Sequence, residues 1–250
     1  MTTQTEIIEL SEKARHGGRS DTFWKSCSGA FNNAGVAGFG YGLIPFSTDA
    51  AINGISKAGF FKHTYPADWK AVSGTAEPVD NDIAVEMIVG GASELIWNDQ
   101  SLLEDASKSQ IQQDDLDKDI GMRFGASLAL DRNSFGQGIS GIGLWVSHIR
   151  SDKEFAQHWG QHCDTLTQIS HVLDEGLRGR HAKLLVKLAP RERDCLTYLA
   201  IGKRPIEISW LLGISVSSVR KYLITAKEKL GAQTLNHAVS KALVLNLIQP

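Results

Sequence analysis

The sequence predicts an α+β protein: an N-terminal α/β/α sandwich around a central antiparallel sheet, then a small four-helix domain. Three observations carry this. Strand-like runs lie inside the first 150 residues with helical patterns at both ends, which suits a sandwich with antiparallel pairs better than a doubly wound sheet. After residue 188 come four helical patterns separated by short breaks. The charge is also divided. The 250-residue chain has a formal net charge of −2, yet residues 188–250 hold nine Lys/Arg against four Asp/Glu. That segment is +5 and the rest −7. A small basic domain on a larger acidic body points to a polyanion-binding tail and a body with another task.

The elements follow in order. Residues 4–15 (QTEIIELSEKAR) have a helical pattern, broken by HGGRS. A second helix is expected after Asp21, a good N-cap. In 35–45 (GVAGFGYGLIP), Phe39, Tyr41 and Leu43 alternate among glycines, as in a strand with close backbone approach. A short helix and a loop are expected between Tyr65 and Asp82. Residues 83–89 (IAVEMIV) fit helix or strand. The polar stretch 100–120 predicts a surface helix. Residues 124–130 and 139–149 predict two strands, and DRNSFGQG between them has the turn chemistry of a hairpin. Ser151 can cap a long helix running to about Leu173. The expected division is a body over 1–173, a linker over 174–187 (DEGLRGRHAKLLVK) and a tail over 188–250.

Composition sets limits. At 42% hydrophobic and 22% charged residues, wholesale disorder is excluded. No run of about 18 apolar residues exists, so no membrane span is expected. The start MTTQTEIIELSEKARHGGRS lacks the basic and apolar regions of a signal peptide, so a cytoplasmic location is expected. Cys27, Cys163 and Cys195 have neither zinc spacing nor a disulfide framework. No metal or cofactor is expected. His158 and His162, an i,i+4 pair, read as structural or solvated.

In the tail, Pro190 sits at a helix start, and Gly202-Lys203 ends that helix. A second helix starts near Pro205, and Gly213-Ile214-Ser215 makes a tight break. Two helices with a short glycine-containing turn form a helix-turn-helix, so the tail is a four-helix helix-turn-helix domain. Ser215 can cap a third helix, in which Val219, Leu223, Ala226 and Leu230 form the buried stripe. The opposite face holds Ser217, Arg220, Lys221, Ile224 and Lys227. Arg can bond guanine bidentately in a major groove, while hydroxyls and Lys hold phosphates. The alternative reading of this face is a solvated surface on a protein-binding bundle; the helix-turn-helix spacing favours DNA as the partner.

These residues carry a resemblance. LAPRERDCLTYLAIGK…EISWLLGISVSSVRKYLITAKEKL…AV resembles the DNA-binding domain of LuxR-type transcription regulators over about 60 residues. The resemblance implies that Arg220, Lys221 and Ile224 face bases and that Glu192, Val219 and Leu230 are scaffold. Ala189 in place of a Thr cap and Arg204-Pro205 at the second helix start depart from the pattern.

The body shows neither the βα alternation of a receiver domain nor a G-x-x-x-x-G-K-[ST] loop. Its informative stretch is YPADWKAVSGTAEPVDNDIAVEMIVGGASELIW. Tyr65 and Trp69 are four apart, Asp82 follows thirteen after Trp69, and Trp97 fifteen after Asp82. This pattern resembles the N-acyl-homoserine lactone-binding domain of quorum-sensing LuxR-type regulators. The resemblance implies that Trp69 donates to a lactone carbonyl, that Asp82 accepts from the amide N–H and that Tyr65 donates to the acyl carbonyl. Trp97 would wall the ring, and the chain would fill an apolar cavity. It also implies a homodimer on a pseudo-palindromic site. Ser73 stands where many members have Tyr, Ile83 replaces a usual Pro, and Ser147 is the candidate for a ligand-contacting strand hydroxyl. Two rivals differ in class: a ligand-independent regulator with the same tail, and a lactone hydrolase with a DNA-binding appendage. Against the hydrolase, no G-x-S-x-G or H-x-H-x-D motif is present.

Overall fold

The structure is a computed structural model that describes residues 4–16, 18–46, 50, 54–67, 69, 78–132 and 138–250. Helices α1 (Gln4–His16) and α2 (Ser20–Asn33) precede strand β1 (Gly38–Ile44). A short helix α3 (Ile55–Ala58) leads into β2 (Phe60–His63), and α4 (Ile83–Gly90) into β3 (Glu94–Ile96). Then come α5 (Lys108–Asp119), β4 (Gly125–Arg132), β5 (Ile139–Trp145) and the long α6 (Asp152–Arg178). The tail folds as α7 (Pro190–Ala200), α8 (Pro205–Leu212), α9 (Val216–Lys229) and α10 (Leu235–Val244).

The five strands form one antiparallel sheet in the order β2-β1-β5-β4-β3. The alternation read in β1 sends Phe39, Tyr41 and Leu43 to one face, where Ile142, Leu144 and Leu128 join them. Against that face pack the apolar stripes of α1 (Ile7, Leu10, Ala14), α2 (Phe23, Cys27, Phe31) and α6 (Leu166, Ile169, Leu173). Buried Tyr41 donates to Asp174 at 2.7 Å, and Arg178 bridges Asp174 and Asp131. The buried Tyr41 hydroxyl and Asp174 carboxylate thus meet in this core, with the Arg178 cation beside them, as burial requires.

The other face is nearly bare. Gly40 pairs with Gly143 and Gly42 with Gly141 across β1 and β5, and Gly125 lies on β4 beside them. A Cβ at Gly40 would lie 2.8 Å from the Tyr65 ring, and one at Gly143 2.6 Å from the Tyr65 hydroxyl. Aromatic rings thus rest directly on backbone, which only glycine permits.

Several expectations change in detail. α2 begins at Ser20 with Arg19 at the cap, and Asp21 sits inside the first turn. There its charge still favours the helix N-terminus. Residues 83–89 are helix because Asp82 caps them, its carboxylate accepting from Ala84 and Val85 N–H at 2.9 and 3.2 Å. The stretch 100–120 is a 3₁₀ turn (Gln100–Leu103) and then α5, because Ser107 starts a new capping box with Gln110. β5 ends at Trp145, four residues short of the expected strand. α6 runs on through residues 174–178, read as linker, because Leu173 and Leu177 keep the apolar stripe buried to its end. Strands β2 and β3 were not expected. β4 and β5 are antiparallel neighbours, and the turn between them falls at 133–137, outside the described residues.

The tail folds as read. Gly213 ends α8 with φ +64°, Ser215 caps α9, and Val219, Leu223, Ala226 and Leu230 are buried. Ala189 brings no side-chain cap to α7, and Glu192 holds the helix start from the other direction. Its carboxylate accepts from Ala189 N–H at 2.7 Å and from Lys229 Nζ at 2.8 Å, tying the start of α7 to the end of α9. On α10, the fully buried Lys241 donates to the carbonyls of Gly231 at 3.3 Å and Ala58 at 3.4 Å. That second bond fastens the tail to α3 of the body.

The bare face gives a direct test. A methyl at Gly125 would stand 2.4 Å from the Trp97 ring and 2.5 Å from the Leu144 carbonyl oxygen. Gly125→Ala is expected to cost about 1–3 kcal/mol of stability, read from the urea midpoint.

Candidate functional site

A cavity of about 120 Å³ opens on the glycine face of the sheet. Its apolar walls come from Ile44, Phe61, Val79, Ile88, Val89 and Ile139. A second chamber of about 60 Å³ adjoins it, lined by Gln110, Gln113, Asp114, Asp117 and Met122. Tyr65, Trp69, Asp82 and Trp97 line both, so the four candidates separated by up to 32 positions in sequence meet at the junction. Trp69 stands edge-on to Tyr65 with centroids 5.2 Å apart, and Trp97 edge-on to Tyr65 at 6.5 Å. An apolar cavity ending in a few convergent polar groups is the ordinary form of a small-molecule site.

Each polar tip at the junction has a protein partner. Tyr65 donates its hydroxyl to Gly143 O at 2.9 Å. Trp97 donates its indole N–H to Ser127 Oγ at 2.9 Å. Trp69 donates to Asp117 Oδ1 at 3.1 Å, and Gln113 Nε2 donates to the same oxygen at 2.9 Å. Asp82 is occupied by its own helix N-terminus. Burial raises the Asp82 carboxyl above its ordinary value, and the Val85 and Ala84 N–H groups pull against that rise. Burial also lifts Asp117, with the negative charge of Asp82 adding to it, up to about 7.

Sequence reasoning missed Asp117, Gln113 and Ser127. Asp117 and Gln113 lie in the stretch read as a surface helix. The available signal was their i,i+4 spacing, which puts them on one side of α5. Ser127 brings a strand hydroxyl into the pocket from β4, the neighbour of the strand on which one was expected. Ser147, the candidate for it, is exposed and lies beyond the end of β5, where the chain has left the sheet. Ser73 falls outside the described residues. His148, His158 and His162 cluster at ring distances of 5.2 and 4.6 Å, and burial holds His158 down to about 4. Among the described residues no group of three His, Cys, Asp or Glu is placed to hold a metal ion.

The second candidate surface is α9. Ser217, Arg220, Lys221 and Ile224 are exposed, and Lys227 half-buried, on the side opposite the buried stripe. Ser215 and Ser217 hydroxyls lie 2.8 Å apart at the helix N-terminus. Residues 186–242 match the family model described as bacterial regulatory proteins, luxR family. Over those residues the C-terminal domain is similar to the luxR family. A curated relative, the quorum sensing-dependent transcriptional regulator RpaR of Rhodopseudomonas palustris, is 44% identical over 63 residues. That match covers 25% of this chain and 26% of RpaR, so the chain spans about a quarter of the relative's length. Over the whole chain the fold is that of solved LuxR-type proteins. SdiA of Escherichia coli, in a complex with octanoyl-rac-glycerol, aligns over 100% of this chain and 99% of its own, with a TM-score of 0.55 and 14% identity. The N-acylhomoserine lactone-dependent LuxR family factor CepR2 of Burkholderia cenocepacia aligns over 68% of this chain and 92% of its own, with a TM-score of 0.50 and 14% identity. No described helix is long and apolar enough to cross a membrane.

Asp117 yields a pH prediction. Its folded value of about 7 lies above the ordinary 3.8, so the folded state favours the protonated form. The stability this contributes is full below pH 3.8 and is lost as pH rises through about 7. Asp117→Asn keeps an acceptor for Trp69 and Gln113 and removes the charge. The unliganded variant is expected to match wild type near pH 4 and to exceed it at pH 8 by up to roughly 4 kcal/mol. Urea unfolding at both pH values measures this.

Proposed function

We propose that this chain is a ligand-responsive transcription regulator of the quorum-sensing LuxR type. Residues 1–173 are read as the body that binds an acylated signal, an N-acyl-homoserine lactone or a related compound, and 188–250 as the DNA reader, with 174–187 joining them. The observation that carries this is an apolar cavity ending in an indole and two carboxylates, in one chain with a luxR-family recognition helix. The acyl chain would lie among Ile44, Phe61 and Ile88, where each buried CH₂ contributes about 0.8 kcal/mol. Tyr65, Trp69 and Asp82 would exchange protein partners for the ligand's polar end, with Trp97 beside it.

On DNA, a two-fold dimer would present two copies of α9 to a pseudo-palindromic site. Arg220, Lys221 and Ile224 would face bases, and Ser217 and Lys227 the phosphates. Arg220→Ala is expected to weaken operator binding by about 1–3 kcal/mol and to flatten the preference among operator variants. Lys227→Ala is expected to weaken all sequences alike and to shallow the salt dependence. Fluorescence anisotropy over an operator series measures both, and an Arg220→Ala protein with wild-type preference would refute the assignment.

A second reading is a regulator that needs no ligand. Its support is that Tyr65, Trp69, Trp97 and Asp82 already have protein partners. Ligand binding to the folded state raises stability by mass action. The first reading therefore expects the protein to melt at a higher temperature with at least one acyl compound of a broad panel, and to carry that compound into an organic extract read by mass spectrometry. Equal melting across the panel selects the second reading. The relatives are transcriptional regulators, and lactone turnover by the purified protein would overturn both readings.

A further inference from the structure

The polar chamber has an unusual balance of donors and acceptors for a lactone. A homoserine lactone ring offers two acceptor oxygens, and its amide contributes one N–H. The chamber holds three carboxylates. Asp82, Asp114 and Asp117 line it, and no Lys or Arg does among the described residues. Three of its donors are aimed at carboxylates, Trp69 and Gln113 at Asp117 and Gln110 at Glu86, while Tyr65 and Trp97 donate to the Gly143 carbonyl and the Ser127 hydroxyl. Asp114 is paired with Lys118, which leaves Asp82 and Asp117 as the carboxylates facing the junction without a cation.

Turning the Trp69 N–H onto a lactone carbonyl would exchange a bond to a carboxylate for a weaker bond to a neutral oxygen. It would also strip Asp117 of one of its two donors, a cost for a half-buried acid. A donating group faces no such loss. Trp69 and Gln113 both bond Oδ1 of Asp117, so Oδ2 has no described donor and can accept from a ligand.

We propose that Asp117 sets the head-group chemistry of this cavity: its ligand is an acyl compound whose polar end donates hydrogen bonds, through an ammonium or paired hydroxyls, rather than a lactone. The inference rests on the acyl-ligand reading above and names the class of ligand within it. The charged groups around Asp117 are Asp82 at the start of α4 and Asp114 with its partner Lys118 on α5. Glu86, on α4, is held by Gln110. An ammonium at the junction would relieve the repulsion between Asp82 and Asp117 and draw Asp117 into its charged form.

Three probes of equal chain length test this by calorimetry: N-octanoyl-homoserine lactone, 1-octanoylglycerol and N-octanoyl-ethylenediamine. Wild type is expected to bind at least one donor probe about tenfold or more tighter than the lactone. Affinity for the ethylenediamine probe should rise up to about tenfold from pH 6 to pH 8 as Asp117 ionises near 7, while lactone affinity should not rise. In Asp117→Asn the gap between donor probe and lactone should shrink to about threefold or less. Tighter binding of the ammonium than the diol assigns the preference to charge, and equal binding assigns it to hydrogen bonding; both support the proposal. A lactone bound by wild type as tightly as the better of the two donor probes overturns it, and so does a gap unchanged in Asp117→Asn. The wild-type ranking and its pH dependence stand even if the variant fails to fold. Binding of none of the three overturns the acyl-ligand reading itself, whereas tight lactone binding leaves that reading intact and removes only this inference.

Discussion

The body depends on one constraint: the centre of the pocket face of the sheet has no side chains. Gly40 against Gly143 and Gly42 against Gly141 make a bare patch on the two central strands, extended by Gly125 on the third. Glycine in a strand interior costs backbone entropy and forfeits packing. The cost is offset because Tyr65 and Trp97 lie where the missing side chains would be, at distances no Cβ would tolerate. The sheet thus uses borrowed aromatics as its second layer. Those aromatics arrive from loops and short elements, so the layer over the sheet can hold a cavity instead of a close-packed core.

The same arrangement separates two kinds of order. The opposite face is packed by α1, α2 and α6 and tied by the Tyr41–Asp174–Arg178–Asp131 network. The cavity face is held by single hydrogen bonds from ring tips, Tyr65 to Gly143 O, Trp97 to Ser127 and Trp69 to Asp117. The Tyr65 and Trp97 bonds, made to neutral acceptors, contribute about 1 kcal/mol each net, so they can be exchanged for a ligand at little cost. Asp117 differs from the others. It carries the charge that burial and Asp82 oppose, so the unliganded pocket contains a destabilising group that a suitable partner would relieve.

Much of this was legible in the sequence where local patterns decide. The stripe Val219, Leu223, Ala226, Leu230 and the caps Pro190 and Ser215 fix the reader domain, because each acts within one or two helical turns. The alternation of Phe39, Tyr41 and Leu43 gave β1 and its buried face. Tyr65, Trp69, Asp82 and Trp97, singled out by their spacing, meet at one cavity, but their hydrogen bonds were not legible. Partners such as Asp117 and Ser127 come from elements 48 and 30 positions away, and no periodicity announces which face of α5 a pocket will claim. β2 and β3 escaped notice for a related reason. Each is four residues or fewer, and each exists only because a longer strand offers it an edge.

The two domains meet at the rim of the pocket. Asp80 stands in the 3₁₀ turn Pro78–Asp80 beside the wall residue Val79, and its carboxylate accepts from Ser56 N–H at 2.8 Å and Ser56 Oγ at 2.5 Å. Ser56 belongs to α3, and the Ala58 carbonyl at the end of that helix receives Lys241 from α10. An ammonium this deeply buried is costly unless its carbonyls stay in place, so the position of α3 and the seating of the reader domain depend on each other. A ligand that moves the Val79–Asp80 wall must therefore also meet the energy of the Lys241 contact. Reciprocity then requires that freeing α10 alter the pocket by the same amount. Coupling between the cavity and the DNA reader thus needs no long relay. It requires only that the ligand's preferred wall position differ from the one α3 holds when Lys241 is seated.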